Sequence, residues 1–150
     1  MSFRLRGTER WLRLRENIEE TQLNFDTSQL PDGTYQLKVT ATDAPDNPEM
    51  PLTDVKEGIE FQIDNTSPVV TSATEGDDVV VRVTDALSPV GKVEYSADAQ
   101  KWIRLTPVDG IADSTGETFR LPKSTLTGKF VVVRAVDAFF NVTTESIAVR

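Results

Sequence analysis

Residues 61–71 read FQIDNTSPVVT, and this stretch decides how the chain is divided. Phe61 and Ile63 alternate with Gln62 and Asp64, the two-residue period of a half-buried strand. Asn65, Thr66, Ser67 and Pro68 then stop it, because Pro68 has no N–H to give to a ladder and fixes its own φ. Val69 and Val70 start a new apolar strand at once. A strand, a four-residue break and another strand mark the passage from one β-module to the next.

On either side of that break the sequence repeats itself. Residues 38–44 read KVTATDA and residues 132–138 read VVRAVDA, with Asn47 and Asn141 each three positions further on. Upstream, RWLRL at residues 10–14 echoes KWIRL at 101–105, and these hold the only two tryptophans in the chain. The alignment predicts two copies of one unit, residues 1–66 and 67–150, separated by small loop insertions.

Alternating apolar residues predict strands near 3–5, 10–15, 23–25, 35–41 and 58–64, with residues 45–58 as a proline-rich loop. After the break, strands are expected at 69–73, 78–84, 92–96, 101–105, 118–121, 130–137 and 146–149. No segment carries a helical period, so the class is all-β. Seven short strands spaced by turn signals are the pattern of a sandwich. The first copy starts at the third of these strands, so residues 1–66 are expected to form a partial sandwich lacking its first two strands. The apolar face so exposed predicts a symmetric dimer through the N-terminal module.

Composition narrows the function classes. The net charge is −8, with seven basic against thirteen acidic residues in positions 1–66. Nucleic acid needs a cationic surface, so it is a poor partner. No apolar run has the length of a membrane helix. The chain has no cysteine and no histidine. Disulfides and thiolate metal sites are thereby excluded, and the commonest general base and metal ligand are missing.

Residues 30–35, LPDGTY, followed by alternating apolar residues to Ala41, resemble the sixth strand of fibronectin type III and bacterial immunoglobulin-like modules. Asp43 with Asn47, Asp137 with Asn141, and the break IDNTSP at 63–68 resemble the strand ends and linkers of tandem bacterial Ig-like repeats. The resemblance implies tandem β-sandwiches and a tyrosine corner at Tyr35, its hydroxyl bonded to backbone upstream. Lys129 or Phe130 stands where the second copy would carry that tyrosine. It also implies a non-catalytic spacer or docking role in a larger extracytoplasmic bacterial protein, secreted, periplasmic or on the cell surface.

Four groups of residues invite a chemical reading. Asp43, Asp46, Asp64, Asn65 and Asp78 offer hard oxygen ligands near the break, and Ca²⁺ is the cofactor they would suit. The same residue types are also common at turns and strand ends. Arg4, Arg6, Arg13 and Arg15 form a basic stripe, read here as the solvated face of a sheet. Trp11 and Trp102, with Tyr35 and Tyr95, could stack a glycan, but an equivalent tryptophan in each copy predicts a core plug between sheets. Asp109 and Asp113 are a tempting carboxylate pair on a turn, without the scaffold of a pocket. The sequence therefore predicts a protein-binding or structural segment, not an enzyme, with a glycan-binding or calcium-dependent adhesion module as the alternative.

Overall fold

The structure is a computed structural model that describes residues 1–126 and 128–149. It is almost entirely β, 49% strand and 4% helix, in three antiparallel sheets of which none is closed. Such an arrangement is compatible with a β-sandwich. The chain divides into two compact units, Met1–Ile63 and Asp64–Arg150.

Unit 1 is one four-stranded sheet. Its strands are β1 (Ser2–Leu5), β2 (Leu12–Arg13), β3 (Gly33–Thr42) and β4 (Thr53–Ile63), in the order β2-β1-β3-β4. The register pairs Phe3 with Leu12 and Leu37, and Tyr35 with Leu5 and Phe61, so one face is apolar. Arg4, Arg6, Gln36, Glu57 and Glu60 take the other face, where Arg4 pairs with Glu57 and Arg6 with Glu60. The arginine stripe is thus a solvated sheet face at these two positions. Arg13 is mostly exposed and pairs with Glu16.

Tyr35 anchors this sheet at 3% exposure and stacks at a tilt on Phe3 and Phe61. Its hydroxyl donates to the Pro31 carbonyl at 2.7 Å, the tyrosine-corner bond expected from LPDGTY. Gly33 completes that turn, since a Cβ there would lie 2.8 Å from Leu5 Cδ1. Tyr35→Phe is expected to lower the stability of unit 1 by about 1 kcal/mol, the net worth of one such bond. Urea unfolding followed through Trp11 in a Trp102→Phe background would read it, and a change near zero would deny the corner a structural role.

Several expectations for unit 1 need correction. The strand at 10–15 shrinks to two paired residues, and residues 23–25 form no strand. A 3-10 turn, Thr27–Gln29, follows instead, with the Ser28 N–H donating to the Asp26 carboxylate that caps it. A strand is held by a ladder partner, and unit 1 supplies none on that side. The loop expected over 45–58 ends early, because β4 begins at Thr53 and runs beside β3 as a long hairpin. Pro51 closes the loop, and Thr53 and Val55 suit a strand. That part of the hairpin is uncovered, so Val39 and Ala41, expected to be buried, are exposed, Val39 at 44%.

Unit 2 has seven strands, as expected after the break, although the one expected over 101–105 shrinks to two residues and the last begins at Val142 instead of Ser146. They are β5 (Val69–Glu75), β6 (Asp78–Thr84), β7 (Val90–Ser96), β8 (Ile103–Arg104), β9 (Gly116–Pro122), β10 (Phe130–Asp137) and β11 (Val142–Ala148). One sheet runs β5-β6-β9 and the other β11-β10-β7-β8. Val79, Val81, Val83, Phe119 and Leu121 of the first sheet meet Val90, Val93, Val131, Val133, Ala135 and Ile147 of the second in one buried cluster. Alternation along each strand produces that layer, since every second side chain points to the same face. Val80 departs from the expected alternation by being 1% exposed although it points away from this cluster.

Candidate metal centre

Three loops of unit 2 each end a strand with an aspartate. Asp64 opens the segment leading into β5, Asp85 follows β6, and Asp137 is the last residue of β10. One carboxylate oxygen from each lies within 4.8 Å of the other two. Asp64 is 5% exposed and Asp137 3% exposed, with Asp85 half-buried.

Each carboxylate is oriented by N–H groups of its own loop. Asp64 Oδ1 accepts from Thr66 N at 3.0 Å. Asp85 Oδ1 accepts from Leu87 N and Ser88 N at 2.9 and 2.8 Å. Asp137 Oδ1 accepts from Phe139 N and Asn141 N, both at 2.8 Å. These are the local Asx bonds that aspartate makes in turns. The Asn141 amide joins two of the loops by donating to Asp137 Oδ2 at 2.8 Å and to the Asp64 carbonyl at 3.0 Å. Thr143 of β11 donates its hydroxyl to the Pro68 carbonyl nearby. Asn141 also begins an N-x-T sequon, but its amide is engaged here.

The second oxygens behave differently. Asp64 Oδ2 and Asp85 Oδ2 are buried without a hydrogen-bond partner among the described residues. None of the ion pairs among the described residues includes Asp64, Asp85 or Asp137. Two ionised carboxylates at this separation repel by roughly 3 kcal/mol at an effective dielectric of about 20. An unpaired buried charge costs more still unless something neutralises it.

Of the residues expected to gather near the break, only Asp64 joins this group. Asp43 lies in unit 1, where its Oδ1 accepts from Leu52 N at 2.6 Å and so closes the β3–β4 hairpin. Asp46 sits in the same loop, its N–H bonded to the Asp43 carbonyl. Asn65 is exposed, and Asp78 begins β6, where it pairs with Arg120. Asp85 was missed because its nearest sequence neighbours, TDALSP at 84–89, carry only an ordinary turn signal. Asp137 was noted for its pairing with Asn141, and the structure adds its position beside Asp64 and Asp85.

The other buried acids are engaged in holding loops and strands. Glu94 on β7 lies between Lys92 at 2.6 Å and Arg134 at 2.7 Å. Those two bonds, Lys92 first, hold its carboxyl below the usual range against the opposing effect of burial. Glu117 accepts from Asp113 N, Ser114 N and the Ser114 hydroxyl. Burial pushes its carboxyl up, but these bonds outweigh it and leave the group below its ordinary value. Asp109 and Asp113 do not act as a pair: Asp109 Oδ1 accepts from Ile111 N, and Asp113 donates its N–H to Glu117.

Neither tryptophan is a core plug. Trp11 carries the Arg4 guanidinium 4.5 Å and the Lys38 ammonium 4.2 Å from its ring centre, and Trp102 carries Arg134 at 4.1 Å. All three cations project from the polar face of a sheet, where the ring covers their stems and gains a cation–π contact. No protein-family model matches the chain, and no curated protein or solved structure is significantly similar to it.

Proposed function

We propose that the chain is a non-catalytic structural or interaction segment made of tandem fibronectin type III-like or bacterial Ig-like modules. The observation that carries the interaction reading is the apolar face of the unit 1 sheet. Leu5, Leu12 and Val39 on that face are 40%, 43% and 44% exposed, and Ile59 at the β4 bulge is 90% exposed. Unit 2 covers the corresponding face of its own four-stranded sheet with β5, β6 and β9. Tyr35 on the same face is buried, so the exposed apolar side chains flank it, and such exposure is a mark of interaction sites.

The modular reading draws on strand order. Unit 1 runs second-first-third-fourth in chain order, and the β8-β7-β10-β11 sheet follows the same succession once β9 is set apart. Within unit 2 the fourth strand, β8, pairs with β7, whereas the D strand of a constant-type immunoglobulin sandwich joins the other sheet. That favours the fibronectin side of the resemblance. The boundaries proposed from the sequence, 1–66 and 67–150, differ by three residues from the compact units. The extracytoplasmic bacterial setting rests on the resemblance alone.

A non-catalytic role draws support from the buried acids. Glu94 and Glu117 are held ionised by fixed partners, whereas a general acid needs a raised pKa. The glycan alternative has less behind it, because cations already lie over both tryptophan rings. We assign the occupant of the unit 1 face to a second copy of the chain. Light scattering at micromolar concentration is expected to give a dimer, and Leu12→Asp with Val39→Asp a monomer. A wild-type monomer would overturn the self-association, and turnover of an ester or glycoside would overturn the non-catalytic role.

A further inference from the structure

We propose that Asp64, Asp85 and Asp137 form a Ca²⁺ site in unit 2. The proposal does not depend on the interaction assigned to unit 1. Ca²⁺ binds oxygen at about 2.3–2.6 Å, so two ligands on one ion stand up to about 5 Å apart. Three carboxylate oxygens within 4.8 Å of one another match that ligand spacing.

A second observation points to a ligand. Asp64 is 95% buried and its Oδ2, like that of Asp85, has no partner among the described residues. Buried polar atoms are nearly always bonded, so two such oxygens in one cluster need an explanation. A cation supplies it. The first oxygens of Asp64 and Asp85 are fixed by backbone N–H groups, which restricts where their second oxygens lie and lowers the ordering cost of binding.

The donor chemistry selects the ion. Carboxylate oxygen is a hard ligand, and the chain has no histidine or cysteine to favour zinc or copper. Mg²⁺ demands a tight octahedron and keeps its waters, which suits a solvated site better than one this buried. Bound there, Ca²⁺ would tie the segment entering β5 to the loops after β6 and β10.

The experiment uses the full chain with Ca²⁺ alone as probe. Calorimetric titration into chelator-treated protein should give saturable binding with one ion per chain. Thermal unfolding should shift upward by several degrees between EDTA and millimolar Ca²⁺, since binding to the native state alone stabilises it. Asp64→Asn and Asp85→Asn keep the oxygen that accepts backbone N–H groups and remove one charge each. Either is expected to weaken binding by about tenfold or more and to raise the melting temperature in EDTA, because repulsion is relieved. A purely structural role for these carboxylates would give the opposite sign in EDTA. No saturable heat at millimolar Ca²⁺, or binding unchanged in both variants, would overturn the proposal.

Discussion

Replacing Phe119 by alanine is expected to destabilise unit 2 by about 3–5 kcal/mol. Phe119 is 1% exposed on β9, and its ring lies in the cluster that both sheets of unit 2 share. Val81 stands opposite it on β6, so the cavity would open between a paired strand and the facing sheet. Valine, which supplies seven members of that cluster, is stiff about χ1 and collapses poorly into a void. Domains of this size have total stabilities of about 5–15 kcal/mol, so the loss is a large part of the whole. Each unit has one tryptophan, which lets the effect be assigned. Trp102 fluorescence in a Trp11→Phe background should report a much lower urea midpoint in Phe119→Ala. A loss below about 1 kcal/mol would mean that Phe119 is not a shared core residue.

Glu117→Ala is expected to cost about 2–3 kcal/mol, chiefly by leaving the N–H groups of Asp113 and Ser114 without their acceptor. Glu117 is 4% exposed, and its Oε1 gathers three donors from the turn before β9. The same bonds predict a pH effect. The folded carboxyl titrates below its unfolded value, so its stabilisation is complete above the unfolded pKa of about 4.3 and disappears as pH falls through the folded pKa. Glu94 acts in the same direction through Lys92 and Arg134. Stability of the wild type should therefore fall on acidification below about pH 4.3, and Glu117→Gln should flatten part of that slope. Identical acid limbs in the two proteins would remove Glu117 from the account.

How much of this was legible in advance depends on the distance over which each feature is specified. Strands β6 and β10 were read with their observed bounds, because Val79, Val81 and Val83, and Val131, Val133 and Ala135, alternate inside single segments. The Tyr35 hydroxyl bond is equally local, spanning four residues from Pro31. The tryptophans were misplaced because a large aromatic beside a strand says nothing of which face it takes. That choice fell to Arg4, Lys38 and Arg134, which arrive from other strands.

Burial shows the same division. Val39 and Val133 occupy matching positions in the segments KVTATDA and VVRAVDA, yet one is 44% exposed and the other is fully buried. Their local sequences are alike, and the difference lies in whether a second sheet stands opposite. By itself the sequence determined the all-β class, the break at 65–68, the presence of seven strands after it and the turn that Tyr35 closes. Each of these follows from periodicity, proline or a contact a few residues long. Only the tertiary structure decided that Asp64, Asp85 and Asp137 converge. Those residues are 21 and 52 positions apart, and what joins them is the meeting of two sheets, since β5 and β6 lie in one and β10 in the other.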